Sequence, residues 1–273
     1  MESLPIDRII DLDTYPITDL ESTEAKALIA RAAERYAREG ACLLPGFLRP
    51  GTVALMAAEA DAVSSDAFRC DDQHNPYLEP DNPDLGDDHP RRRAEATKLD
   101  VLGCDQLSSQ NLLMRLHAWQ PLCDFLGRVL GYDSFHRFED PVGAVTINVM
   151  NDGDGHGWHF DEAQFTISVM LQAPDSGGHF EYVPGLRGDD FDDYDGLARV
   201  LDGDRSGVTT IPITPGAMLL FGGRNLLHRV SRVEGGTTRH VSVLCYRDRP
   251  GMTNSPEVRQ LFYGRTEPLR QLA

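Results

Sequence analysis

Apolar residues recur at two different periods along the chain, and the change falls near its middle. Ala25, Leu28, Ile29, Ala32, Ala33 and Tyr36 lie on one face at helical spacing, with Ser22 or Thr23 available as a cap and Gly40 as the terminating residue. A second helix is predicted after Pro50, turning Val53, Met56, Ala57, Ala60 and Val63 inward. Residues 108–130 hold two shorter helical pieces divided at Pro121, which suits a first-turn position. From Val142 the period falls to two. Val145, Ile147 and Val149 alternate with Thr146, Asn148 and Met150; Phe165, Ile167, Val169 and Leu171 alternate with Thr166, Ser168, Met170 and Gln172. Runs at 179–183, 208–213, 217–221 and 239–246 complete about eight short strands broken by Gly and Pro, the pattern of a barrel or jelly roll. The expected fold is mainly β with α, a jelly-roll core with N-terminal helices packed against it.

The 273 residues read as one domain: 1–135 mostly helical, 136–250 the jelly-roll core, 251–273 a C-terminal tail. Residues 70–98 are rich in Pro and Asp and exceed the usual loop length, so they read as a lid or a floppy insertion. A second acidic excursion, 187–207, holds a short helical run at Leu197–Leu201. Its aspartates do not make an EF-hand, because with Gly196 as the turn glycine Phe191 would fall at the first ligand position.

Net charge narrows the partners. At −17, from 43 acidic against 26 basic residues, the chain lacks the cationic surface that phosphate backbones require, so no nucleic-acid partner is expected. The acidity reads first as a solvated surface and second as a field that would steer a cationic substrate. No run approaches the roughly 18 apolar residues of a membrane span, and a cytoplasmic location is expected. Five scattered cysteines without a Cys-x-x-Cys pair argue against a disulfide framework or a structural zinc cluster.

The candidate chemistry sits at His159-Phe160-Asp161. If residues 157–161 run extended, positions two apart point to the same side, so His159 and Asp161 can take neighbouring corners of one metal. His228, far downstream, would be the third ligand; two histidines and one carboxylate on one face leave three positions open, as in non-heme Fe(II) oxygenases. Arg239 follows His228 by 11 residues in a run rich in β-branched residues (239 − 228 = 11). Its guanidinium can clamp the far carboxylate of a dicarboxylate whose keto-acid end chelates the metal.

These motifs give the chain its resemblance to the Fe(II)/2-oxoglutarate-dependent oxygenases. Gly157-Trp158-His159-Phe160-Asp161, Pro215-Gly216-Ala217-Met218-Leu219-Leu220-Phe221, Leu227-His228-Arg229-Val230 and Arg239 match the family's pattern over roughly residues 140–250. The opening from Gly40 to Leu48 looks like the phytanoyl-CoA hydroxylase branch. The run from Trp158 to Pro184 is similar to a bacterial group of hydroxylases and radical halogenases that act on free amino acids. The resemblance implies a double-stranded β-helix of cupin-like type forming a single catalytic domain, with Fe(II), 2-oxoglutarate and O2 as cofactor and co-substrates. It also implies hydroxylation, since the halogenases carry glycine where this chain keeps Asp161. A competing class is a cupin-like isomerase or sensor that would need neither 2-oxoglutarate nor Arg239, and the iron chemistry could end in desaturation or cyclisation instead.

The remaining site residues are less constrained. Thr146 and Asn148 either line the interior and help hold 2-oxoglutarate or face solvent. His156 and Glu162 flank the metal motif and are expected at the cavity mouth as substrate contacts; His156 has a plain loop histidine as its alternative. Glu139 and Asp140, ahead of the first core strand, are candidates to hold an ammonium. The expected partner is a small-molecule substrate, a free amino acid first, with homodimerisation left open. A reactive iron centre also favours the lid reading of 70–98, because it must be shielded from water and stray reductants.

Overall fold

The computed structural model describes residues 4–269. The strands are β1 Ala41–Leu44, β2 Phe68–His74, β3 Glu95–Leu102, β4 His136–Arg137, β5 Val145–Met150, β6 Gly155–His159, β7 Thr166–Gln172, β8 Ser176–Gly177, β9 Phe180–Val183, β10 Thr209–Ile211, β11 Met218–Phe221, β12 Leu227–Val230, β13 Val233–Glu234, β14 Arg239–Leu244 and β15 Tyr246–Arg247. Ten of these follow one antiparallel path, β1-β11-β7-β14-β5-β3-β6-β12-β9-β10, with β2 added on β3. The sheet curls so that one face packs on helices and the other encloses the site.

The helices are α1 Ile6–Ile9, α2 Thr23–Glu39, α3 Pro50–Val63, α4 Leu112–Ala118, α5 Gln120–Leu130, α6 Tyr194–Leu201 and α7 Pro256–Tyr263. Their ends follow local chemistry. The Ser22 hydroxyl accepts from the Ala25 amide, and Gly40 ends α2 in the left-handed conformation that glycine adopts without a Cβ penalty. Leu28, Met56, Leu113 and Phe125 from α2 to α5 meet Ile147, Val149, Ile167, Val169 and Leu220 from the sheet in one core. Each such side chain is fully or nearly buried, so trimming one to alanine would cost about 2–5 kcal/mol.

Three expectations are corrected. Residues 1–135 are not mostly helical, because β1, β2 and β3 lie there and join the main sheet. The segment 70–98 is not irregular throughout: β2 and β3 pair from Phe68↔Val101 to His74↔Glu95, leaving 75–94 as the connection. The stretch 251–273 is more than a tail. It carries α7, capped by Ser255 and ended by Gly264 at φ 65°. Among the described residues no helix is long and apolar enough to cross a membrane.

Candidate metal centre

Alternation in β5 decides which side chains face the site. Ile147 and Val149 enter the helix-covered core, so Thr146, Asn148 and Met150 turn the other way. β14 pairs with β5 in the register Arg239↔Met150, Val241↔Asn148 and Val243↔Thr146, which puts Arg239 on the same inner face. Thr146 and Asn148 therefore line the interior rather than solvent.

β6 and β12 bring the histidines together, with His228 directly opposite His159. Beyond that pair the register slips, so that Val230 sits opposite His156. Such a bulge re-aims side chains, and it explains how His156 and His159, three apart, both point inward. Gly157 sits within it, where a Cβ would come within 2.8 Å of Glu95 Cβ and 2.9 Å of the Ala96 carbonyl oxygen.

The regular strand stops at His159, so Asp161 reaches the site from the bend that follows and not from a continuous extended run. Two backbone bonds fix that bend: the Phe160 amide donates to Pro76 O at 2.7 Å and the Asp161 amide to Gly223 O at 2.9 Å. Thr166 Oγ1 donates to Asp161 Oδ2. Asp161 Oδ1 then lies 3.4 Å from Nε2 of both His159 and His228. One donor atom from each of the three residues falls within 4.8 Å of the others.

The donor set fits a divalent metal in its protonation as well. His159 Nδ1 lies 2.8 Å from Gly157 O and His228 Nδ1 2.8 Å from Leu226 O. A ring nitrogen that donates to a carbonyl leaves the other as a lone pair, the form a metal binds. Burial, aided by the neighbouring His228, brings His159 down to about 4. Burial alone would raise the Asp161 carboxyl, but the imidazoles of His228 and His159 outweigh it and hold the group well below the usual carboxylate range.

Arg239 shares this chamber, a cavity of about 100 Å³ that also contains the three donors. Its Nε donates to Gly178 O at 2.9 Å, and its Nη1 lies 3.6 Å from Met150 Sδ. Gly178 makes room for it, since a Cβ there would approach Arg239 Cδ to 2.8 Å. No ion pair to Arg239 occurs among the described residues, and burial lowers its pKa to about 10. At neutral pH it remains a buried cation without a carboxylate partner, which is the environment a dicarboxylate's far end would fill.

A second chamber of about 160 Å³ joins the first at Asn148, His156, Asp161, Thr166 and Val243. His156 stacks on His159 with ring centroids 3.7 Å apart and planes 19° from parallel. Its Nε2 is buried without a partner, and burial with the neighbouring His159 holds the ring well below its ordinary pKa, hence neutral. α7 forms the chamber's far wall through Val258, Phe262 and Tyr263, the last sharing a 2.7 Å hydrogen bond with Thr146. The sequence reading missed this wall, although Ser255-Pro256 and Gly264 are ordinary start and stop signals.

Glu162 is exposed and lies at the mouth, lining the second chamber and an outer vestibule of about 260 Å³. Glu139 is exposed and lines none of the three spaces. Asp140 is not at the site either. Its carboxylate is fully buried, accepts from the amides of Val142, Gly143 and Asn254, and pairs with Arg259 at 2.7 Å. Every acceptor direction is engaged by the protein, so the ammonium role expected for Asp140 is withdrawn, and with it that of Glu139.

A curled antiparallel sheet holding two histidines, a carboxylate and a buried arginine defines an enzyme of the Fe(II)/2-oxoglutarate-dependent oxygenase class, with iron and 2-oxoglutarate as cofactor and co-substrate. A family model described as Halogenase D (HalD) matches residues 24–259, and the chain belongs to that family. Among solved structures, a 2OG-Fe(II) family oxidoreductase from Burkholderia pseudomallei is similar at TM-score 0.51 and 16% identity, over 81% of this chain and 91% of that one. The α-ketoglutarate-dependent carbocyclase SnoK of nogalamycin biosynthesis is similar at 0.56 and 17%, over 88% and 92%. The epimerase SnoN of the same biosynthesis is similar at 0.56 and 16%, over 91% and 95%. At these identities the structures establish the fold. No curated protein matches the chain in sequence.

Proposed function

We propose that the chain hydroxylates an unactivated C–H bond of a small polar substrate, a free amino acid or amino-acid derivative of specialised metabolism. The observation that carries hydroxylation, in a family named for halogenation, is Asp161. It supplies a carboxylate oxygen 3.4 Å from both Nε2 atoms, where the halogenases of the resembled group carry glycine. The metal site thus keeps three protein donors instead of opening a place for halide.

His159, Asp161 and His228 would hold the ion, and Arg239 the far carboxylate of 2-oxoglutarate, with Asn148 and Thr146 on the same wall. When bound, iron supplies O2 activation coupled to decarboxylation of 2-oxoglutarate to succinate. The chain's own residues place the substrate and exclude water. His156, neutral and with an unpartnered Nε2 between the two chambers, hydrogen-bonds the substrate. Glu162 meets it at the mouth.

The connection 75–94 acts as the lid. Tyr77 donates to Asp192 at 2.9 Å, and its ring packs 5.2 Å from Phe160, between the two metal ligands of that motif. The lid is therefore tied to both the acidic excursion and the metal-binding strand. A cytoplasmic enzyme, able to form a homodimer, completes the reading.

The test supplies Fe(II), 2-oxoglutarate and O2 with a panel of free and carrier-bound amino acids, measuring succinate and product mass. Substrate-dependent succinate with a gain of one oxygen is expected; a loss of two hydrogens would instead mean desaturation or cyclisation. If 2-oxoglutarate added anaerobically to the Fe(II) protein produces no visible charge-transfer band, the oxygenase reading fails.

A further inference from the structure

Leu78 is the one non-glycine among the described residues with a left-handed backbone, at φ 54°. A leucine held there is strained, and such strain persists only where the surroundings impose it. Here the imposing residue is Asn75. Its buried Oδ1 accepts from the amides of Tyr77 (3.0 Å) and Glu79 (3.3 Å), its Nδ2 donates to Glu79 O at 2.7 Å, and its carbonyl accepts from the Leu78 amide at 3.0 Å. Four bonds close a tight turn that presents Leu78 at one place.

That place is the boundary between two spaces of opposite character. Leu78 lines both the second chamber and the outer vestibule, as do Val258 of α7 and, across from this apolar pair, Asp161 and Glu162. Outward, the vestibule carries charges of both signs: Glu79, Glu162 and Glu257 with Arg187 and Arg224. Inward, Val101, Phe165, Val243 and Phe262 beside Leu78 and Val258 supply the apolar wall, and Arg247 is the basic side chain lining it. Apart from the metal ligand Asp161, the inner lining holds no carboxylate deeper than Glu162 at its mouth.

We propose that Leu78 and Val258 form the apolar side of a constriction that selects the substrate, passing an uncharged side chain into the inner chamber, where His156 meets a polar atom if the side chain carries one, while the charged amino and carboxylate groups stay in the vestibule. The inference deepens the hydroxylase reading and rests on it. Desolvating a cationic side chain beyond the constriction would meet the Arg247 guanidinium and, apart from Glu162 at the mouth, only the carboxylate of the metal ligand Asp161, whereas burying methylenes there is favourable. An extra ring or branch would have to displace a leucine whose turn has four bonds resisting movement. Asn75 is then a positioning residue, and Leu78 and Val258 determine specificity.

Calorimetric titration of L-leucine, L-lysine and L-tryptophan into the 2-oxoglutarate-loaded Co(II) protein tests this without turnover. The native protein is expected to bind leucine at least ten-fold tighter than either of the others. Leu78→Gly, which removes the side chain and the strain together, and Val258→Ala, on a separate element, should each raise tryptophan affinity relative to leucine by ten-fold or more. Affinity for 2-oxoglutarate should not change in either. Unchanged tryptophan-to-leucine ratios in both variants, or native preference for lysine, overturn the proposal while leaving the oxygenase reading intact. Failure of the native protein to bind 2-oxoglutarate removes that reading and this proposal together.

Discussion

Gly223 is fitted against Asp161: a methyl group on its Cα would come within 2.4 Å of the carboxylate Oδ2 and 2.8 Å of Cβ, while its carbonyl holds the Asp161 amide. The carboxylate is thereby confined from two sides, with Thr166 on the same oxygen. Gly223→Ala is expected to turn Asp161 away from the imidazoles and weaken Fe(II) binding ten-fold or more, about 1.4 kcal/mol. Asp161→Gly should abolish hydroxylation. Full activity in Asp161→Gly would show that the carboxylate is no ligand.

Arg239 is buried beside the metal donors, and among the described residues its hydrogen-bond partners are a carbonyl and a thioether. Replacing it with methionine keeps the volume but removes the charge-assisted bonds to a carboxylate. The KM for 2-oxoglutarate should rise about 10- to 100-fold, or about 1.4–2.7 kcal/mol, with Fe(II) affinity unchanged. A KM that does not move would sever Arg239 from the co-substrate.

His156 lies flat on His159 at 3.7 Å and leaves Nε2 unpartnered. His156→Ala would remove the hydrogen bond proposed to substrate and, among the described residues, none to the protein. Substrate KM is expected to rise about five- to fifteen-fold, the worth of roughly 1–1.5 kcal/mol. An unchanged substrate KM returns His156 to the status of a packing residue.

What was legible in the sequence and what was not divide along physical lines. That His159, Asp161, His228 and Arg239 share one cavity could be anticipated, because the metal and dicarboxylate proposed for them demand particular residue types whatever the surrounding chain does. Alternation in β5 announced a two-faced strand, but which face was wet depended on α2 to α5 covering Ile147 and Val149. β2, Phe-Arg-Cys-Asp-Asp-Gln-His, is largely polar because one neighbour and much solvent suffice at its place beside β3, so periodicity could not mark it. Asp140 failed for a different reason. A carboxylate ahead of a strand looks the same whether it meets a ligand or an arginine 119 residues later.

That arginine supports the next prediction. Asp140 is wholly buried and Arg259 nearly so, and their contact holds α7 as a wall of the second chamber. Arg259→Ala leaves a buried charge without its cation, so a loss of about 3–5 kcal/mol in denaturant unfolding is expected. Substrate KM should rise as well, since the wall loosens. Burial opposes ionisation of Asp140, but the amides of Gly143, Asn254 and Val142 together with Arg259 lower its pKa. Stability from this group is therefore present above the ordinary carboxyl pKa of about 4 and lost as pH falls through the depressed folded value. Asp140→Asn should flatten that acid limb; an unaltered limb would show that the pair does not anchor the fold.

His117 gives a pH dependence of the same sign in a higher window. It is buried on α4, its Nε2 donates to Cys245 O at 2.7 Å, and its ring packs 5.0 Å from Tyr246. Burial lowers its pKa to about 4 against an ordinary 6.5, so between those values the unfolded chain binds the extra proton and the folded chain does not. Stability from this residue rises with pH across that window and falls on acidification, by about 3 kcal/mol for a shift of roughly 2.5 units. His117→Gln keeps an amide donor for Cys245 O but cannot titrate. Its unfolding free energy should fall less steeply from pH 6.5 to 4 than the native protein's, though not level off, because His159 titrates in the same window. Equal slopes for the two proteins would mean that His117 is not held neutral by its burial.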